Sequence, residues 1–153
     1  MAGFQKITPF LWYDGQALEA ARHYVSLFPD SRIDSSDPLP AGPAEGAAIV
    51  SFVLAGQQFT ALDGGPMYQF SPAISFVVSC ESQAEIDHFY DGLAEGGARE
   101  QCGWVRDRYG VTWQIVPVQL GELLEAGADR VMATLLEMEK IDLATLESAA
   151  RGE

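Results

Sequence analysis

Two hydrophobic periods alternate along the chain. Residues 7–13 are almost wholly apolar or aromatic and stop at the turn pair Asp14-Gly15, the pattern of a strand buried on both faces. The period then changes: Leu18, Ala21, Val25 and Phe28 recur at steps of three and four, one stripe of a helix over residues 16–28. Asp14 or Gly15 supplies its cap, and Pro29 forbids continuation. Residues 31–35 suit a short strand. Residues 37–46, with three prolines and two glycines, cannot form a regular ladder and predict a loop. Two β-rich runs follow, 47–54 and 58–62, joined by a hairpin turn at Ala55-Gly56-Gln57 and closed by Asp63-Gly64-Gly65-Pro66.

The same order then starts again. A strand over 73–80 leads into Ser82-Gln83-Ala84-Glu85, a capping-box pattern that satisfies the free amides at a helix start. The helix carries Ile86, Phe89, Tyr90 and Leu93 on one face and ends at Gly96-Gly97. Three short strands are predicted at 98–101, 104–108 and 112–116, with Asp107-Arg108-Tyr109-Gly110 turning the last pair. His23-Tyr24 and His88-Phe89-Tyr90 lie at similar distances after their strands, so duplication of one β-α-β-β-β unit is the economical explanation. After Pro117 the pattern is helical over 120–124, 128–138 and 142–150, with Val131, Leu135 and Met138 in one stripe. The predicted fold class is α+β: a first βαβββ unit over 5–66, a second over 72–117 and a C-terminal helical tail over 118–153, forming one domain of curved mixed sheets around a cleft.

Composition narrows the functions. A chain of 153 residues that is 48% hydrophobic can bury one sizeable core. Its 9 Lys+Arg against 22 Asp+Glu give a formal charge of −13, which repels nucleic acid and anionic membranes alike. No window approaches the roughly 20 apolar residues of a bilayer span, and the start of the chain has no signal-peptide pattern, so the cytoplasm is the expected compartment. Cys80 and Cys102 form neither a CxxC pair nor a disulfide-dense pattern and are expected to be reduced thiols.

Several runs resemble a known family: Ile7-Thr8-Pro9-Phe10-Leu11-Trp12-Tyr13-Asp14-Gly15, Ala61-Leu62-Asp63-Gly64-Gly65-Pro66, Gln101-Cys102-Gly103-Trp104 and Trp113-Gln114-Ile115-Val116-Pro117, with Arg130-Val131-Met132 and Lys140-Ile141-Asp142 in the tail. They resemble the PhnB-like branch of the vicinal oxygen chelate superfamily, which includes glyoxalases, ring-cleaving dioxygenases and antibiotic-resistance proteins. Members of this branch often carry the label 3-demethylubiquinone-9 3-methyltransferase. The resemblance implies a cleft in which metal-using relatives hold a divalent ion with His and Glu from the first, fourth, fifth and eighth strands. Mapped onto this chain, those slots fall near Pro9, Leu62 or Asp63, Ala73 and Gln114, of which only Asp63 is a good ligand. No metal site and no cofactor are therefore expected. The Gly-rich turn that brings a backbone close to S-adenosylmethionine is not matched either, because Pro66 and a β-rich context follow Gly64-Gly65.

Strand alternation puts Thr112, Gln114 and Val116 on one face, with Gln114 at the ligand slot, and puts Ser75 and Val77 on the face of Ala73. Gln114 can bind a ligand carbonyl or amide, or serve as a structural amide. Asp63 can act as a general base, or cap its turn through an Asx bond. Tyr13 shares the parity of Pro9 and is the aromatic expected to face the cleft. Cys102 is the thiol better placed for reactivity, although no His or Lys adjoins it in sequence. His23 and His88 fall on helices, away from the ligand slots. The site expected from sequence is thus Tyr13, Asp63, Ser75, Thr112 and Gln114 for binding, with Asp63 and Cys102 as catalytic candidates. Three functions remain in order: a metal-independent binder of a small, partly aromatic molecule, an enzyme with an atypical metal or acid/base site, and a module with a vestigial cleft. A homodimer is expected under each.

Overall fold

The computed structural model describes residues 4–153 and divides the chain into two compact units, the first ending at Phe70 and the second beginning at Ser71. The first contains β1 (Phe10–Tyr13), α1 (Ala17–Leu27), β2 (Arg32–Pro38), β3 (Ala48–Leu54) and β4 (Gln57–Asp63). Its sheet has the order β1-β4-β3-β2, with β1 parallel to β4 and the other pairs antiparallel. The second contains β5 (Ser75–Cys80), α2 (Gln83–Ala94), β6 (Ala98–Arg99), a 3-10 turn at Gln101–Gly103, β7 (Trp104–Arg106) and β8 (Thr112–Pro117). Its sheet repeats the order as β5-β8-β7-β6, again with the first pair parallel. Two βαβββ units and an α+β class are therefore what the chain forms.

Each sheet packs its own helix on one face. In β1 the alternation is strict: Leu11 and Tyr13 are buried, whereas Phe10 is 54% exposed and Trp12 half-buried. The expectation of a strand buried on both faces is corrected by this: of the four β1 residues, the two on the helix-covered face are the buried ones. The stripe of α1 is also rotated from the expected one. Ala17, Ala20, Ala21 and Tyr24 are buried, with Phe28 just past the helix end, and Leu18 and Val25 flank the stripe half-buried. The alanines let the helix settle close to the sheet, and the Tyr24 ring reaches Phe52 of β3, 6.4 Å between centroids. In α2 the expected stripe is the observed one: Ile86, Phe89, Tyr90 and Leu93 are buried.

Turn chemistry fixes the registers. Ala55 and Gly56 join β3 to β4 with φ of 48° and 84°, the two positive values that a two-residue hairpin of matching twist requires. The β7–β8 turn instead hangs on the buried carboxylate of Asp107. Its Oδ1 accepts from the amides of Tyr109 (2.9 Å) and Val111 (3.0 Å), and its Oδ2 accepts from Trp113 Nε1 (2.9 Å).

The tail folds as α3 (Leu120–Leu135), bent at the non-helical Gly127, and α4 (Leu143–Arg151). Val131, Leu135, Ile141, Leu146, Ala149 and Ala150 form its core. Arg130 donates to the carbonyls of Ala149 and Ala150 at 2.9 and 3.0 Å, satisfying the C-terminal carbonyls of α4. Gln83 of α2 donates to Ile141 O and accepts from Leu143 N, while Lys140 pairs with Asp87 and Asp91. These contacts explain the two tail motifs: they hold the helical hairpin on its own unit. No helix among the described residues is long and apolar enough to cross a membrane.

Candidate functional site

On the face of the second sheet that its helix leaves open, β8 is flanked by β5 on one side and β7 on the other. Gln114 pairs in register with Val77 across the parallel ladder and with Trp104 across the antiparallel one. Val77 is 57% exposed, and Gln114, Ser75 and Trp104 are half-buried. Gln114 Nε2 donates to Ser75 Oγ at 2.9 Å, one strand across and two residues back. Sequence parity thus brings Ser75 and Gln114 together. Thr112, opposite Ser75 in register, is 2% exposed, so the third expected residue on this sheet lies out of a ligand's reach. Trp113 and Ile115 are buried against the opposite, helix-covered side, and Phe76 packs with Trp113 at 5.3 Å.

The other expected site residues take different places. Tyr13 is almost fully buried on the helix side of the first sheet; its hydroxyl lies 3.1 Å from that of Tyr24, and its ring meets Phe70 edge-on. Leu11 and Tyr13 share the covered side, so the parity inferred from Pro9 assigns the wrong face, and Phe10 and Trp12 hold the open one. Trp12 meets Tyr68 edge-on at 5.0 Å and donates Nε1 to Gly65 O at 2.8 Å. A Cβ at Gly64 would run into the Trp12 indole, so this glycine leaves room for the chain's own ring.

Asp63 also lies on the helix-covered side. Its Oδ1 accepts from the amide of Ala17 at 2.6 Å, the first residue of α1, whose N-cap Gln16 makes no side-chain cap bond. The expected Asx cap of its own turn is corrected to a cap supplied from 46 residues away. With one oxygen engaged by the first amide of the helix, the Asp63 side chain serves as a structural cap.

Cys102 sits in the 3-10 turn with a left-handed φ of 63°. Its amide donates to Met138 O at 2.7 Å and that of Gly103 to Glu139 O at 2.8 Å, so the turn docks the tail. Its side chain packs against the tail core, and it also lines a shallow depression of about 470 Å³ with Arg99, Glu100, Gln101 and Trp104. Cys80 is buried, and burial, followed by the charge of Glu85, pushes its thiol up to about 12, which keeps it protonated at neutral pH.

The donors do not fit the divalent metal that the fold's metal-using relatives hold. Ser75 and Gln114 offer neutral oxygen and nitrogen, weak partners for a divalent ion beside imidazole or carboxylate. Among the described residues no three His, Cys, Asp or Glu side chains gather where they could hold an ion, and His23 and His88 are mid-helix.

Strand order, pairing and duplication together define the vicinal oxygen chelate class, the glyoxalase/bleomycin resistance fold. A family profile described as 3-demethylubiquinone-9 3-methyltransferase matches residues 5–116, and the chain belongs to that PhnB-like family. Among solved structures it resembles a PhnB protein from Bacillus cereus carrying the same methyltransferase description, with 38% identity over 74% of this chain and 100% of that one and a TM-score of 0.68. It is also similar to protein PA1353 from Pseudomonas aeruginosa (21% identity, 74% and 98% covered, TM-score 0.63). The fosfomycin resistance protein FosX from Listeria monocytogenes, solved with Mn(II) and sulfate, shares 13% identity over 75% of this chain and 91% of that one with a TM-score of 0.50. The last two show the fold alone. Comparison with curated proteins returned no match.

Proposed function

We propose that this protein binds a small, partly aromatic molecule on the open face of its second sheet, using hydrogen bonds and apolar contact in place of a metal ion. The observation that carries this reading is the Ser75–Gln114 pair, a neutral donor–acceptor couple on a half-open sheet face between Val77 and Trp104. A concave or flanked apolar surface with a few convergent polar groups is the usual form of a small-molecule site. The enzymatic alternative loses support with Asp63, whose carboxylate is occupied at the start of α1. The methyltransferase description of the family finds no support in a cofactor cradle, since Trp12 fills the space at Gly64.

A homodimer belongs to the same proposal: Met132 and Leu136 of the tail stay exposed beside the buried Val131 and Leu135. Sedimentation at micromolar concentration tests it, a monomer being the contrary result. The binding reading is tested by a thermal-shift screen of neutral aromatic compounds on the intact chain. It predicts that some raise the melting temperature in wild type and lose that effect in Gln114→Leu; a screen in which none does so counts against it.

A further inference from the structure

We infer that the Ser75–Gln114 pair selects an uncharged ligand head carrying a hydrogen-bond donor and an acceptor side by side, as in an amide, a lactam or a hydroxy-ketone. This rests on the binding site proposed above and adds the chemical class of its occupant. With Nε2 donating to Ser75 Oγ, one lone pair of the serine oxygen is used and its own proton is left to donate elsewhere. Gln114 Oε1 accepts no hydrogen bond among the described residues and remains an acceptor. The couple therefore presents donors, the serine O–H and the second amide N–H, beside the amide oxygen as an acceptor, held in fixed relation by the bond between them. Exchanging the ends of the amide gives the same result, because the pair then presents an N–H and a serine lone pair.

A carbonyl flanked by N–H or O–H satisfies both groups at once. A lone carbonyl satisfies only the donor and leaves the acceptor stripped of water, which is the costly arrangement. A carboxylate has no proton to offer the acceptor, and an ammonium has no lone pair for the donor. Charge reinforces the exclusion of anions. The nearby cation on this face, Arg106, is drawn to Glu100 with Nε to Oε1 at 3.3 Å, and the protein as a whole carries −13. Val77 and the Trp104 indole on either side of Gln114 offer contact for an apolar body but no counter-charge for an ion.

The test titrates the 15N-labelled full chain with benzamide, acetophenone and benzoate, following the Gln114 side-chain amide and neighbouring backbone signals. The expected order is benzamide tighter than acetophenone by about tenfold, the scale of one satisfied hydrogen bond, with benzoate weakest. In Gln114→Leu benzamide falls to the level of acetophenone, while acetophenone shifts less than about twofold. Gln114→Met, closer to glutamine in length and without its amide, gives the same collapse if the leucine variant does not fold. Equal affinity for benzamide and acetophenone in wild type, or a preference that survives in these variants, overturns this assignment and leaves the binding reading standing. If none of the three probes perturbs the open face at millimolar concentration, the binding reading falls and this inference with it.

Discussion

In the first unit the helix over the sheet begins at Gln16 without a side-chain cap of its own, and Asp63 reaches across from the end of β4 to supply one. In the second unit the corresponding strand ends at Pro117, which can offer nothing, and α2 is capped locally by Ser82 Oγ, which accepts from Glu85 N at 3.2 Å while Glu85 reaches back to Glu81 N. The open faces differ in the same spirit. The first carries Phe10 and Trp12, with Trp12 against Tyr68; the second carries Ser75 and Gln114. One topology thus tolerates two solutions to helix capping, and the acidic residue at the end of the fourth strand belongs to the fold. In the proposed binding site the polar groups are instead the neutral pair of the other half.

The largest expected effect separates the two hairpins. Asp107→Ala removes three hydrogen bonds from a buried turn that the first unit replaces with Ala55-Gly56. A loss of about 3 kcal/mol in urea unfolding follows from an emptied carboxylate position with stranded donors. A loss below about 0.5 kcal/mol, the range of ordinary surface changes, shows instead that the turn holds itself.

Next come the caps. Asp63→Ala is expected to cost about 1–2 kcal/mol and Ser82→Ala about 1 kcal/mol, both within the range measured for N-cap deletions. A stability-neutral Asp63→Ala that abolished ligand binding would move Asp63 back from the fold to the site.

The repeated strand–helix period and the capping box were legible because they depend on neighbours in sequence. Asp63 capping Ala17 was not, since the two lie 46 positions apart and a carboxylate next to Gly-Gly looks equally like a turn or a base. The face of β1 was misjudged because an apolar run gives no parity of its own: only the burial of Leu11 and Tyr13 under α1 shows which side is covered. In β8, polar Gln114 alternates with Trp113 and Ile115, and there the sequence pointed to the right face. The role of Asp107 was hidden in a segment readable only as a turn, although a carboxylate four residues before Val111 and six before Trp113 is the signal that could have found it.

A smaller effect is expected for the ion pairs that Lys140 makes within the second unit. Lys140→Met is expected to cost less than about 1 kcal/mol and to lose that cost at molar salt, since its partners are half exposed. The Gln83 hydrogen bond, followed by Lys140, holds the Asp87 carboxyl below its usual range. Asp91 is held low because the Lys140 and Arg99 contacts outweigh its partial burial. Burial likewise opposes the raised Lys140, and Asp91 and Asp87 outweigh it. The carboxylates therefore stabilise the fold above their unfolded values, and that contribution fades as pH falls through their lower folded ones. The lysine stabilises below its unfolded value and loses that as pH rises past its higher folded one. The difference between wild type and Lys140→Met is expected to be flat between about pH 5 and 9 and to shrink outside it. A cost that persists at molar salt contradicts the pairing.

The smallest effect is a gain. Ala55→Asn in the first hairpin places a residue that tolerates a left-handed φ where Ala sits at 48°, and is expected to add about 0.5 kcal/mol. A loss would mean that the β3–β4 turn is not the element that fixes this register.

The most direct measurement is the affinity for benzamide before and after exhaustive dialysis against EDTA, with Mn(II) then added back. A neutral Ser75–Gln114 pair that does the binding itself predicts the same affinity in all three states. Binding lost with the chelator and restored by the ion would contradict it.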